Sequence, residues 1–381
     1  MSTLPFSGLR VVALEQAVAA PFCSRQLADL GADVVKIERP DGGDFARSYD
    51  SAVNGLSAYF VWLNRGKRSV ALDIKSERGR EACAKLLDRA DVFLHNLVPG
   101  AVERLGLGYE ELSTRNPRLI WCGISGYGPD GPYRDKKAYD LLVQAESGVV
   151  SLTGTPDAPA KVGVSIADIT SGFYAYSSIL AALFARERTG IGDRIDISML
   201  ECLTEWMMPP MYVWMGTGDA PPRNGLRHNM IAPYGAYPCS DGVILFGIQN
   251  QREWQRLCPD VLGLPNLATD SRFAINADRV RNYRELDATI ESRLSTIPRA
   301  EVLSRLEAVG IPNASLNSTA DAANHPQLAA RHRWTTVDSS AGPLRALFPP
   351  HNLQNAPSAM GRVPELGEHT REVLAELGME D

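Results

Sequence analysis

No stretch of the 381 residues approaches the ~20 consecutive apolar side chains that a bilayer-spanning helix needs. Residues 1–8 lack a charged segment followed by an apolar one, so no secretory leader is expected. Positive charge is not in surplus: 39 Lys and Arg face 45 Asp and Glu, a formal net charge of −6. That balance argues against nucleic acid or an anionic membrane as partner, while leaving room for a local basic site that holds a phosphorylated ligand. The six cysteines (Cys23, Cys83, Cys122, Cys202, Cys239, Cys258) contain no CxxC pair. Most sit among apolar neighbours, which predicts buried, reduced thiols. The six histidines show neither HxxxH nor HExxH spacing, so no metal centre is expected. A cytoplasmic protein follows as the expectation.

Three nucleotide and hydrolase signatures are also missing or incomplete. After the apolar run of residues 9–14 comes Glu15-Gln16-Ala17-Val18-Ala19-Ala20. A dinucleotide fold needs glycines there so that backbone can approach the pyrophosphate, and their absence speaks against a nicotinamide cofactor. No phosphate-binding Walker loop occurs. Gly123-Ile124-Ser125-Gly126-Tyr127 resembles a nucleophile elbow but ends on tyrosine where a small glycine is required, so a hydrolase triad is weakly supported.

What is present is an ordinary globular composition, 44% hydrophobic and 22% charged, on a chain long enough for two domains. Residues 9–14 and 34–37 read as buried strands flanking a helix over 21–30 that Gly31 closes. The alternation continues: strand 69–72, amphipathic helix 76–89, strand 92–94, short helix 100–105, strand 119–124. A long helix is expected over 170–188, then a strand at 194–198. This is the pattern of an α/β, Rossmann-like domain with a mostly parallel sheet. Pro221, Pro222 and Gly225 mark an exit from it. The expected organisation is a large α/β domain from residues 1–225, a small α+β domain over 226–325 with a hairpin at 234–246, and a return segment 326–381 that completes the large domain and ends in a helix near 371–377.

Three segments resemble one family. They are Gly31-Ala32-Asp33-Val34-Val35-Lys36-Ile37-Glu38-Arg39-Pro40 followed by Gly43-Asp44, Asn64-Arg65-Gly66-Lys67-Arg68-Ser69 leading to Leu72-Asp73-Ile74-Lys75, and Asn96, Pro99-Gly100, Glu103-Arg104-Leu105-Gly106. Ala167-Asp168 and Gly367-Glu368-His369-Thr370 follow in the same order. Together they resemble the class III CoA-transferases, the group of formyl-CoA transferase, carnitine CoA-transferase and α-methylacyl-CoA racemase.

Read from the residues alone, Asp168 stands before an apolar-periodic helix and is an N-cap. The resemblance implies that it is the catalytic nucleophile, and the two roles are compatible, because a helix N-terminus favours negative charge. The resemblance implies that Arg39, Lys75, Arg104 and Lys137 hold the phosphates and pantetheine arm of CoA, with Leu72, Asn96 and Leu97 around adenine and ribose. It implies supporting roles for Asp140 and Tyr139. Racemase relatives place a histidine base where this chain has Tyr139, and a phenol of pKa about 10 is a poor base at neutral pH, which favours transfer over racemisation. The formyl-CoA enzyme's glycine-rich loop has no counterpart in residues 228–235.

The implied activity moves CoA from a donor such as succinyl-CoA to a small acid, a four- or five-carbon dicarboxylate such as mesaconate, itaconate or citramalate. Arg47, Arg223, Arg227 and His228 are candidates for the distal carboxylate. CoA would come and go as substrate, with no resident cofactor, and the family implies an interlocked homodimer. The alternatives are an acyl-CoA racemase and a non-catalytic acyl-CoA-binding protein.

Overall fold

A computed structural model describes residues 4–379. The chain divides into two compact units. The first is assembled from Met1–Val150, Lys161–Pro209 and Gln327–Asp381, the second from Ser151–Ala160 and Pro210–Pro326. The second unit therefore starts before residue 226 and takes in a ten-residue excursion that composition does not mark.

The first unit is built on six parallel strands, β1 (Arg10–Leu14), β2 (Asp33–Glu38), β3 (Arg68–Ala71), β4 (Val92–His95), β5 (Ile120–Ser125) and β6 (Arg194–Ser198), in the order β3-β2-β1-β4-β5-β6. The helices in chain order are α1 (Ala19–Asp29), α2 (Ala58–Asn64), α3 (Glu77–Leu87), α4 (Tyr109–Arg115), α5 (Asp140–Glu146), the single turn α6 (Val149–Leu152) and α7 (Ile166–Thr189). β1 and β4 are buried nearly throughout, because helices cover both faces of the sheet. Alternate residues of β1 feed two cores. Val11 and Ala13 pack with α1 and α7, while Val12 and Leu14 pack with α3 and the C-terminal helix.

α7 is 24 residues long and begins at Ile166, four residues before the position expected from periodicity. It lies hard against the start of α1. A Cβ built on Gly172 would stand 2.4 Å from the carbonyl oxygen of Ala19, so only glycine permits this approach. Gly172→Ala is expected to destabilise the protein by ~1–3 kcal/mol through overpacking and to push the first turns of α7 off α1. Urea unfolding of the variant beside wild type measures the effect.

Two further helices, α8 (Met199–Trp206) and α9 (Met208–Thr217), follow β6, and Pro209 and Pro210 sit in the first turn of α9, where a missing N–H costs nothing. The second unit contains a three-stranded antiparallel sheet, β7 (Tyr234–Cys239), β8 (Gly242–Gly247) and β9 (Asn313–Ser315). Helices α10 (Gln251–Arg256), α11 (Asn276–Arg281), α12 (Tyr283–Leu294) and α13 (Arg299–Ala308) accompany it, and its core is centred on Trp254, Tyr237 and Phe246.

α14 (Thr319–Ala323) closes the second unit, and the return segment contributes α15 (Pro326–Ala330), a hairpin of β10 (Trp334–Val337) and β11 (Leu344–Leu347), and α16 (Thr370–Glu376). The Gly367–Thr370 motif covers the exposed edge of β3. His369 N donates to the Ser69 carbonyl at 2.9 Å, Ser69 N to His369 Nδ1 at 3.2 Å, and Ala71 N to Thr370 Oγ1 at 2.9 Å. Pairing these groups removes a free strand edge.

Candidate active site

Strand order reverses at β1, whose neighbours β2 and β4 lead away in opposite directions, and a crevice opens beyond the C-terminal ends of such strands. A cleft of about 410 Å³ lies there. Its walls are the segments that leave β1 (Leu14, Glu15, Gln16), β2 (Glu38, Arg39, Pro40, Asp41) and β3 (Leu72, Asp73, Ile74, Lys75), with Leu97 from the segment after β4. Arg39 and Lys75 are exposed at this cleft and Leu72 is buried in it.

The turn after β1 is held from two sides. Asn96 accepts from Gln16 N at 2.9 Å and donates to Gln16 O at 2.8 Å. Asp44 Oδ1 accepts from Ala17 N at 3.0 Å, and Ala17 takes the left-handed φ of 62°. Asn96 therefore shapes the cleft floor from behind.

Beneath the turn lies a buried charge network. Glu15 accepts from Lys67 Nζ at 2.7 Å and from Ser24 at 2.7 Å, and Lys36 Nζ reaches Asp44 at 2.8 Å and Glu15 at 3.4 Å. Two carboxylates and two ammonium groups balance with essentially no solvent exposure. Burial pulls the Lys67 ammonium down to about 8, against the opposing pull of Glu15.

Asp168 lies in the first turn of α7 and is not its N-cap. The N-cap residue is Ser165, whose side chain makes no capping bond. Instead Asp140, the first residue of α5, supplies the cap from outside the helix. Its Oδ1 accepts from Ala167 N at 2.8 Å and Asp168 N at 3.4 Å. The Asp168 carboxylate has no hydrogen-bond partner among the described residues and is partly buried. Burial first, and the neighbouring Asp140 charge second, push its pKa from the ordinary 3.8 up to about 7. Tyr49 is within electrostatic reach of both Asp168 and the cleft residue Asp44, and burial drives its phenol up to about 12. Tyr139, on the N-terminal flank of α5, is 69% exposed.

The remaining expected residues divide. Arg104 is exposed; a Cβ built on Gly100 would meet Arg104 Nη1 at 3.0 Å and Arg134 Nη2 at 3.4 Å, so two guanidinium groups converge on that glycine. Lys137 is exposed. Arg47 is not available as a substrate anchor. Its guanidinium grips Glu38 at 2.8 and 2.7 Å and stacks 3.7 Å over Phe60. Burial raises the Glu38 carboxyl, but the Arg47 hydrogen bond and the Lys36 charge bring it down to about 2. Arg223, Arg227 and His228 belong to the second unit. Arg223 spends its donors on the carbonyls of Ser151, Thr155 and Pro156. Arg227 lies 3.6 Å over Tyr283 in a cavity of about 270 Å³ that it shares with Asp287 and Glu291, surroundings that disfavour a further anion. His228 stacks on Tyr234 at 5.2 Å.

The sequence matches the family model CoA-transferase family III over residues 6–370. The chain belongs to the class III CoA-transferases. It is 42% identical over 330 residues to the acetyl-CoA:oxalate CoA-transferase of Acetobacter aceti, covering 86% of this chain and 85% of that protein. It is 36% identical to the succinate–glutarate CoA-transferase of Agrobacterium fabrum, covering 98% and 96%. Among solved structures, a CaiB/BaiF family protein from Brucella suis superposes with a TM-score of 0.87 at 37% identity, covering 98% of this chain and all of that one. Racemase and non-catalytic readings give way to transfer.

Sequence reasoning passed over several residues of the site. Glu15, Lys36 and Lys67 lie within or beside the quoted motifs, but a lysine in an alternating charged run reads as solvated surface. Gln144 and Tyr49 carry no local signal; only the fold brings Gln144 to Asp140 and Tyr49 within electrostatic reach of Asp168 and Asp44.

Proposed function

We propose that this transferase carries CoA between short dicarboxylic acids through covalent intermediates on Asp168. The observation that carries the reading is a carboxylate in the first turn of α7, without a hydrogen-bond partner among the described residues, whose pKa is raised to about 7 and which shares the neighbour Tyr49 with the cleft residue Asp44. Such a carboxylate is more basic than an ordinary aspartate and, once ionised, a stronger nucleophile.

An Asp168 oxygen attacks the thioester carbonyl, forming a C–O bond and breaking the C–S bond, which gives an acyl-aspartyl anhydride and CoA thiolate. The thiolate attacks Cγ of Asp168 and expels the donor carboxylate, leaving an aspartyl-CoA thioester. The acceptor carboxylate attacks the same carbon and releases the thiolate. The thiolate then attacks the acceptor acyl carbon, restoring Asp168. No water or ATP is consumed. Exclusion of water around Asp168 during turnover would protect the anhydrides from hydrolysis.

Arg39, Lys75, Arg104 and Lys137 would hold CoA by charge, with Leu72 and Leu97 against its adenine. The proposal includes a homodimer with interlocked chains, as in the family. The dicarboxylate preference rests on the relatives' names and not on Arg47 or Arg227, which are engaged. An acceptor screen with succinyl-CoA and acetyl-CoA as donors tests it. Glutarate, mesaconate, itaconate, citramalate or oxalate should exceed butyrate and valerate by at least about tenfold in kcat/KM. Equal turnover of the monocarboxylates would refute the preference.

A further inference from the structure

The side chain that holds Asp140 in place is Gln144, four residues later and on the same face of α5. It is completely buried. Its Nε2 donates to Asp140 Oδ2 at 2.6 Å, and its Oε1 accepts from Val162 N at 2.9 Å. One carboxamide thus ties α5 to the strand of chain that leads into α7. The other Asp140 oxygen holds the N–H groups of Ala167 and Asp168.

A helix N-terminus leaves several N–H groups without internal partners. Ser165 does not satisfy them, so the first turn of α7 depends on Asp140. The carboxylate of Asp140 could pivot about its last bond; the Gln144 donor fixes that rotation. Buried amides are costly when half satisfied, and here both ends are used.

We propose that Gln144 is a positioning residue for the transfer reaction, setting the first turn of α7 and with it the direction of the Asp168 carboxylate through the Asp140 carboxylate. The inference rests on the reading of Asp168 as nucleophile. Asp140 at the start of α5 and Tyr49 from the β2–α2 connection face that carboxylate, with Tyr139 within reach of Tyr49; Tyr59 of α2 meets Ser165 at 3.4 Å. None of them replaces the bridge from Asp140 to Val162.

Polarity of the chain makes a swap possible. In Asp140→Asn alone, Gln144 must turn its oxygen to the new amide, and its NH₂ then faces the Val162 N–H. In Gln144→Glu alone, two carboxylates face each other. In the double variant Asp140→Asn/Gln144→Glu, the new asparagine oxygen accepts from the helix and its NH₂ donates to the new carboxylate, which also accepts from Val162. All the hydrogen bonds return, with donor and acceptor exchanged only in the one between positions 140 and 144.

The test measures kcat and acyl-CoA KM for Gln144→Leu, each single variant and the swap, with unfolding midpoints alongside. Gln144→Leu and Asp140→Asn should lose about 10- to 100-fold in kcat with KM changed less than about threefold, as small misplacement of a reacting group predicts. The swap should recover at least about tenfold over Asp140→Asn. A wild-type kcat in Gln144→Leu, or a folded swap no faster than Asp140→Asn, would overturn the inference. Full transfer by Asp168→Ala would instead overturn the nucleophile reading beneath it.

Discussion

Replacing Asp168 with alanine is expected to lower CoA transfer by about 10⁴-fold or more, while CoA still binds the cleft. The reason is chemical and not structural. Among the described residues the carboxylate makes no hydrogen bond that its loss would break, and the turn that carries it is capped by Asp140. The cleft residues Arg39, Leu72, Lys75 and Leu97 lie on other elements. Isothermal titration with CoA, set beside initial rates, separates the two effects.

The same position should limit stability. Folding raises the Asp168 pKa from 3.8 to about 7, so between those values the folded chain keeps a proton that the unfolded chain has lost. The stability linked to the protonated carboxyl is full below pH 3.8 and is lost as pH rises through about 7. Asp168→Asn removes this loss. The variant should therefore be more stable than wild type at pH 8, by on the order of 2 kcal/mol, with the advantage vanishing near pH 4. Catalysis runs the other way, because the nucleophile must be ionised: wild-type kcat/KM should rise with pH through about 7.

The second large effect lies under the turn after β1. Lys67→Met leaves the buried Glu15 carboxylate with Lys36 alone, at 3.4 Å, and a buried charge that loses its main partner costs ~3–5 kcal/mol. Glu15→Leu/Lys67→Met removes both charges and leaves Lys36 paired with Asp44 at 2.8 Å. The double variant should regain more than half of the loss, since a well-packed apolar pair often matches a buried ion pair in stability. Urea midpoints of the three proteins measure this. A single variant as stable as wild type would mean that the network contributes nothing to the fold.

Much of this was legible in the chain. Alternating apolar runs and helical spacing mark the strands and α1, α3 and α7 within a few residues, because both signals are local. The start of α7 was misplaced because its cap, Asp140, comes from another helix and leaves no mark beside Ser165. The missing glycines after Leu14 speak only against a nicotinamide site; what holds that turn instead, Asn96 and Asp44 from distant loops, is supplied by the fold. Arg47 looked free because its partner Glu38, nine residues earlier, seemed part of a solvated charged run. Asp168, Arg39, Lys75 and Leu97 are candidates through ordered motifs and not through periodicity, and the fold lines one cleft with the last three. Gln144 was invisible, since a buried amide in a short amphipathic segment looks like any surface glutamine.

The central claim is that CoA passes through a covalent bond to Asp168, and one measurement addresses it directly. Wild-type protein is mixed with succinyl-CoA and no acceptor, quenched with hydroxylamine, digested, and its peptides weighed by mass spectrometry. The account predicts a hydroxamate on Asp168 that requires the donor and disappears when free CoA and succinate replace succinyl-CoA. An unmodified Asp168 in protein that turns over normally, or a hydroxamate on a different carboxylate, would contradict it.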